Sequence, residues 1–436
     1  MHTTTIAGAL LGLSALAAAL PTTDTSSSQS SEASTVDAGS DAFEFPLANG
    51  FPNITAAKDK DIIALIQAQA LGTLAQPGNT TANATKPTGA SILGQGFVAF
   101  NELMEVAFFT ELISNVTNNA PGYGPDDITG DRDEILAILK VHEAQEELHQ
   151  LNAAGAFTKN SGGQVVEPCK YNFPVSNFAE SIRLAATFTD VVMGTLPAIQ
   201  TIFGKNGDAG LIRGVGASLG QEGEQDGFYR QYLGLAPAGL PFNTQSAVSL
   251  AFSAVVQSFI VADSCPQTLE LFQNPSFTLE GLTLFDVLTP ITDLGNGKED
   301  IQDAEFAGTP VQVNAVTVNS LVAENLCITY LNQNNGPISF KAAVTGGSDK
   351  KTFTAPFPGK SLGFSGLVIT TVTTGTVDGC GAFLNADDVA AATKFGPFLF
   401  EADNFIDDLI NESSSSSSTM MSETETSTAA PTATNQ

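Results

Sequence analysis

Apolar residues recur along this chain with two different periods, and the change of period divides it. From 57 to 265 they return every three or four residues. The spacing predicts helices over 57–74, 90–114, 131–153, 176–204, 208–234 and 244–262. From 308 to 403 the texture turns to Val, Thr, Phe and Gly in alternating runs: PVQVNAVTV, NLCITYL, PISFKAAVTG, KTFTAPF and LVITTVTTGTV. The turn strings NNG, GGSD and PGK separate them. The expectation is an α+β multidomain chain, a helical bundle over 57–265 followed by a β-sandwich-like domain over 308–403. Residues 266–307, poor in pattern, read as the linker.

The two ends carry neither period. Residues 1–19 contain most of the run IAGALLGLSALAAAL, which is too short to span a bilayer comfortably and includes Ala17-Ala18-Ala19. It reads as a secretory signal peptide. Ser/Thr-rich stretches at 20–56 and 404–436 read as disordered, O-glycosylated arms. No hydrophobic tail follows the second, so a glycosylphosphatidylinositol anchor is not expected. The run 244–262 is apolar but broken by Ser249, Ser253, Gln257 and Ser258, which favours a buried helix over a membrane span.

Secretion changes how two residue types are read. Asn53, Asn79, Asn83, Asn115 and Asn411 each begin an Asn-x-Ser/Thr acceptor sequence for N-glycosylation. Cys169, Cys265, Cys327 and Cys380 form an even set suited to an oxidising compartment, and three pairings are possible. Cys169–Cys265 with Cys327–Cys380 is preferred because each link then stays within one folding unit. No CxxC spacing supports a zinc ribbon or thioredoxin chemistry.

Composition then narrows the partners. The 436 residues include 17 Lys plus Arg against 46 Asp plus Glu, a net charge of −29. Phosphate neutralisation needs clustered bases, so nucleic acid is excluded as a partner and an anionic membrane surface is disfavoured.

A few of those acids fall where acids are costly. In helical projection Glu102 lies in the middle of a stripe of Val98, Val106, Phe109 and Ile113, on a helix that is apolar nearly all round; Glu105 lies about 60° away. Around Glu146 the stripe holds Ile135, Leu139, His142, His149 and Ala153, and Glu146-x-x-His149 brings carboxylate and imidazole side by side. Glu222 shares its stripe with Leu211, Val215, Ser218, Gln225, Tyr229 and Leu233. An isolated buried carboxylate needs a partner, a proton or a metal. A Glu on one apolar helix is more often a mis-phased surface residue or a satisfied ion pair, and ExxH alone is common. Three such acids on three helices, with few Lys or Arg beside them, point to one shared polar interior site.

These residues carry a resemblance. The stretches FNELMEVAFFTELISNVTNNAPGY, VHEAQEELHQLNAAGA, EPCKYNFPV, ATFTDVVMGTLPAIQTIFGKNGDAGLIRG and GQEGEQDGFYRQYLG resemble the fungal ferritin-like late sexual development family, related to fungal stress-response ferritin-like proteins. The resemblance implies a ferritin-like bundle with one Glu from each of two helices and ExxH from each of the other two. Glu102 matches the first Glu, and Glu146 with His149 the first ExxH. Glu222 matches the second, whose histidine position is Gln225, and the remaining Glu falls on Thr189. Two of six ligands are therefore missing, which weakens a di-iron site. What the resemblance leaves is one iron, manganese or zinc ion on Glu102, Glu146, His149 and Glu222, with Gln225 Oε1 as a weak extra donor. The other outcome is a metal-free network of protonated acids.

The first functional expectation is a secreted fungal glycoprotein, extracellular or in the cell wall, with a structural or developmental role in sexual development. It would meet a cell-wall or extracellular partner and need not catalyse anything. The runner-up is a metal-dependent oxidoreductase or metal-binding protein. A sugar-binding β domain ranks below both, since no exposed aromatic row is legible. Hydrolase chemistry has little support, because His142 and His149 lie on one helix without an obvious Ser or Cys nucleophile.

Overall fold

Asp131 and Asn177 set where two of the long helices begin. The Asp131 carboxylate accepts from the backbone N–H of Asp133 at 3.0 Å and of Glu134 at 3.2 Å. Asn177 Oδ1 accepts from Glu180 N–H at 2.9 Å, while Glu180 Oε2 reaches back to Ser176 N–H at 2.8 Å. Both are side-chain caps on helix N–H groups that would otherwise lack partners. The computed structural model describes residues 51–52, 54, 59–74, 86–87, 89–273, 282–294, 301–311, 325–347, 350–375, 379–406 and 410. The expected leader, most of both Ser/Thr-rich arms, the acceptors Asn53, Asn79, Asn83 and Asn411, and residues 312–318 of the first expected strand lie outside them.

All six expected helices form: α1 (Lys60–Gln69), α2 (Ala90–Thr117), α3 (Arg132–Ser161), α4 (Phe178–Lys205), α5 (Ile212–Tyr232) and α6 (Val248–Phe259). The stretch expected as a linker is more regular than its pattern suggests. It carries α7 (Pro266–Gln273), β1 (Val287–Pro290) and most of β2 (Asp303–Thr309). These elements are short, and α7 and β1 hold about two turns and four residues, too few for a period to register. There follow β3 (Leu326–Asn332), β4 (Ile338–Lys341), β5 (Ala343–Gly346), β6 (Lys351–Pro356), the single turn α8 (Gly359–Leu362), β7 (Gly366–Thr374), α9 (Ala386–Ala392) and β8 (Thr393–Ala402).

The strands form two antiparallel four-stranded sheets, ordered β1-β2-β6-β5 and β4-β3-β7-β8. Phe306, Phe353, Ile328, Tyr330, Val368 and Phe400 belong to one core shared by both sheets. The other face of β3 and β7 contributes Leu331, Leu367 and Ile369 to the helical core. The β4-β3-β7-β8 sheet is thus a middle layer, and every residue of β3 is buried. Disulfides join Cys169 to Cys265 and Cys327 to Cys380, the preferred pairing.

α2 and α4 are long and apolar enough to cross a membrane by length and composition, yet 94% and 72% of their most apolar windows are buried inside the protein. Asn115, the acceptor among the described residues, sits half-buried in the last turn of α2.

One contact seats α4 against the middle sheet. A Cβ at Gly194 would lie 2.0 Å from the Thr244 carbonyl oxygen. Thr244 Oγ1 in turn donates to the Leu367 carbonyl at 2.6 Å and accepts from Gln333 N–H at 2.7 Å. Gly194→Ala is therefore expected to cost about 1–3 kcal/mol in urea unfolding. Gly155→Ala, on the exposed face of α3 with nothing within 4 Å, should be neutral or stabilising by up to about 1 kcal/mol. Equal effects at the two positions would contradict the close approach.

Candidate metal centre

The helices that carry the candidate acids are unusual in what they bury. α2 is buried on all sides, Glu102 and Glu105 included, each 1% exposed. α3 buries Glu146, and α5 buries Glu222, Gln225, Asp226, Tyr229 and Arg230, a set with one aromatic and no aliphatic member. Glu102, Glu146, His149 and Glu222 converge, each offering one ligand atom, with all four atoms within 4.8 Å of one another. His149 Nδ1 is the hub. It lies 3.0 Å from Glu146 Oε2, 3.5 Å from Glu222 Oε1 and 3.7 Å from Glu102 Oε2. The expected set of four is thus brought to one place.

Gln225 is not a donor to that set. Its Nε2 donates to Glu146 Oε1 and, at 3.2 Å, to Gln145 Oε1, while its Oε1 accepts from the Tyr229 hydroxyl at 3.1 Å. The amide oxygen, expected as a weak extra ligand, points away because a carboxylate on its other side demands a donor. Behind Tyr229, His142 Nδ1 lies 2.9 Å from the hydroxyl. Gln145 Oε1 also accepts from Gln221 at 2.8 Å, so two amides from α5 converge on one from α3. Thr189 is fully buried, and its hydroxyl makes no hydrogen bond. Its neighbour Asp190 turns to Arg230 instead, at 3.7 Å.

Glu105 is the residue that sequence reasoning left out. Both its oxygens are buried without a hydrogen-bond partner, as are Glu102 Oε2 and Glu222 Oε1. Its offset from the Glu102 stripe suggested a second side, but a helix buried all round has no outer side. That all-round apolarity was itself the usable signal. On the α4 and α6 side, a small cavity lined by Phe97, Val98, Val192 and Leu196 reaches Glu102.

Burial dominates the electrostatics of these groups. It pushes Glu102 up to about 8, against the lowering effect of His149. Burial, reinforced by Glu146, raises Glu222 to about 7. Burial and the Glu222 charge hold Glu105 well above the carboxylate range. At Glu146 burial is outweighed by the His149 charge and by hydrogen bonds from His149 and Gln225, so this carboxyl lies below its usual value. Burial would lower His149, but Glu146 and Glu102 together raise it well above the ordinary imidazole value. Without a cation, the cluster pairs the His149 imidazolium with the Glu146 carboxylate, and burial favours the protonated form of Glu102, Glu105 and Glu222.

The donor set fits a cation of borderline hardness. Three carboxylates and one imidazole suit iron, manganese or zinc, and the Glu102, Glu105 and Glu222 oxygens without hydrogen-bond partners are acceptors that a cation could satisfy. Ser218 offers no alternative chemistry. Gly216-Ala217-Ser218-Leu219-Gly220 has GxSxG spacing, but it lies inside α5, without the strand-to-helix turn that exposes a nucleophile. No protein-family model matches the chain, and no curated protein matches it.

A second set of buried acids lies where α4 and α5 meet β8. Asp190, Asp226 and Glu401 gather around Arg230, and Arg183 Nη1 donates to Asp403 Oδ2 at 2.7 Å. Burial raises Asp190 to about 6 and, with the Asp190 charge, Asp226 to about 8; burial and Asp190 hold Glu401 well above its usual value. In the unfolded chain these acids titrate near 3.8 and 4.5. Above those values the native state holds protons that the unfolded chain has released, so stability falls as pH rises. The loss runs from about pH 4 to 8. Urea unfolding in chelator should show a steady decline across this window, flattened in Glu401→Gln. A level profile, or a decline that the substitution leaves unaltered, would contradict the burial of these acids.

Proposed function

We propose that the chain is a secreted protein of the fungal ferritin-like late sexual development kind whose helical body binds one divalent metal ion through Glu102, Glu146, His149 and Glu222. The observation that carries this reading is the convergence of four ligand atoms within 4.8 Å, three of them carboxylates on three helices, with no Lys or Arg among them. Two disulfides are compatible with an extracellular setting. Thr189 and Gln225 stand where the resemblance would need a fifth and sixth ligand, which favours one ion over a pair. A bound iron or manganese ion would supply Lewis acidity and one-electron redox chemistry, and zinc the former alone. The chain's own residues contribute the largely apolar cavity beside Glu102, the donor geometry and the protons that an incoming cation displaces.

A second reading keeps the helical body metal-free, with a structural or developmental role at the cell exterior. The observation favouring it is His149 seated 3.0–3.7 Å from three acids. Against the lowering effect of burial, Glu146 and Glu102 hold it well above the ordinary imidazole value, so that an imidazolium can offset part of their charge without a metal. Metal analysis separates the two. Protein stripped with chelator and reloaded with Mn(II), Fe(II) or Zn(II) should hold about one ion per chain, and Glu146→Ala should lose it. Sub-stoichiometric binding of all three, equal in Glu146→Ala, would leave only the metal-free reading.

A further inference from the structure

Glu146 takes the amino group of the Gln225 amide, and Tyr229 holds the amide oxygen at the other end. Tyr229 is fully buried, with its hydroxyl 3.1 Å from Gln225 Oε1 and 2.9 Å from His142 Nδ1. A phenol has one proton. If it is donated to Gln225 Oε1, the hydroxyl oxygen must accept, and the donor is the Nδ1–H of His142. Burial pushes His142 down to about 4, so at neutral pH it is uncharged and has a single N–H to place. Polarity therefore runs one way along the chain of bonds, from His142 through Tyr229 to the amide oxygen of Gln225. The Gln225 amino group is then turned to Glu146 Oε1, which leaves Oε2 as the Glu146 oxygen beside His149.

We infer that Tyr229, backed by His142, is a positioning residue that fixes the Gln225 amide and so limits Glu146 to one oxygen at the candidate cation site. The inference rests on the one-cation reading of that site. Neither Tyr229 nor His142 reaches the ligand atoms; both act through Gln225. The ring of Tyr229 packs against Phe109, Phe228 and His142, so its hydroxyl can be removed while that packing is kept. Without the hydroxyl, Gln225 Oε1 loses its buried donor, the amide is held from the Glu146 and Gln145 side alone, and Glu146 has a less fixed partner. Hydrogen-bonded partners of ligating carboxylates typically contribute 10- to 100-fold in metal affinity.

The test is a double-mutant cycle on full-length protein, read as Mn(II) affinity by calorimetry and as the visible spectrum of the Co(II)-loaded form. Tyr229→Phe and Gln225→Met should each weaken Mn(II) binding by about tenfold and alter the Co(II) bands. The double variant should be no weaker than Gln225→Met alone, because the hydroxyl acts only through the amide. Tyr229→Phe binding as tightly as wild type, or more tightly, overturns the inference. So do losses that multiply in the double variant, the result expected if the hydroxyl acts on the site independently of the amide. A wild-type protein that binds neither Mn(II) nor Co(II) sinks the one-cation reading, and this inference with it.

Discussion

Removing a carboxylate from water without a cationic partner is the constraint around which the helical body is arranged. Glu102, Glu105, Glu146 and Glu222 are all nearly inaccessible, and among the described residues His149 is the cationic side chain within 4 Å of three of them. An ionised group so placed costs several kcal/mol even after relaxation, so most of these acids must hold protons or share a cation. The amide side chains nearby follow from the same constraint. Gln221 and Gln225 meet Gln145, and Gln225 donates to Glu146, the carboxyl of the cluster held below its usual value, giving it a donor without adding charge.

α5 depends on that balance more than its neighbours do. Its buried side chains are polar apart from the ring of Tyr229, and its 21 residues include Gly214, Gly216, Gly220, Gly223 and Gly227. Each glycine inside a helix costs about 1 kcal/mol relative to alanine. Neither intrinsic propensity nor a fully buried aliphatic face holds α5 in place. Its docking rests on partly buried apolar residues such as Val215 and Leu219, and on hydrogen bonds and ion pairs made by Glu222, Gln225, Tyr229 and Arg230. The state of the cluster is therefore coupled to the stability of the helix that completes it.

How much was legible in the sequence follows the same physics. The apolar stripes of α2 and α4 announced both ends to within three residues, because the pattern repeats over seven or more turns, whereas α3 begins where expected but runs eight residues past its expected end at 153. The four cluster residues were legible because each broke an apolar stripe. Glu105 was not, since a helix buried all round gives angle no meaning. The orientation of Gln225 escaped too: whether an amide presents oxygen or nitrogen depends on its partners at both ends, here Glu146 and Tyr229 on two different helices. The acids around Arg230 were invisible for a related reason, because Glu401 comes from a strand some 170 residues beyond α5 in the chain.

The same long-range pairing explains why the β-rich half cannot be treated as a detachable module. Immediately after α5, Leu235 bridges to Phe405, the Ala236 N–H donates to the Asn404 carbonyl at 3.1 Å, and the Ile406 N–H donates to the Gly234 carbonyl at 3.1 Å. Arg183 on α4 grips Asp403, and Gly194 admits the Thr244 carbonyl while Thr244 holds β7. These contacts fix the C-terminal end of α5 and the face of α4 it packs on. A helix tied at its end cannot rotate freely, and a rotation of one residue, about 100°, would carry Glu222 and Gln225 off the interior face together. The middle sheet, buried on both sides, is thus the support that keeps the α5 carboxylate and amide aimed at Glu146 and His149.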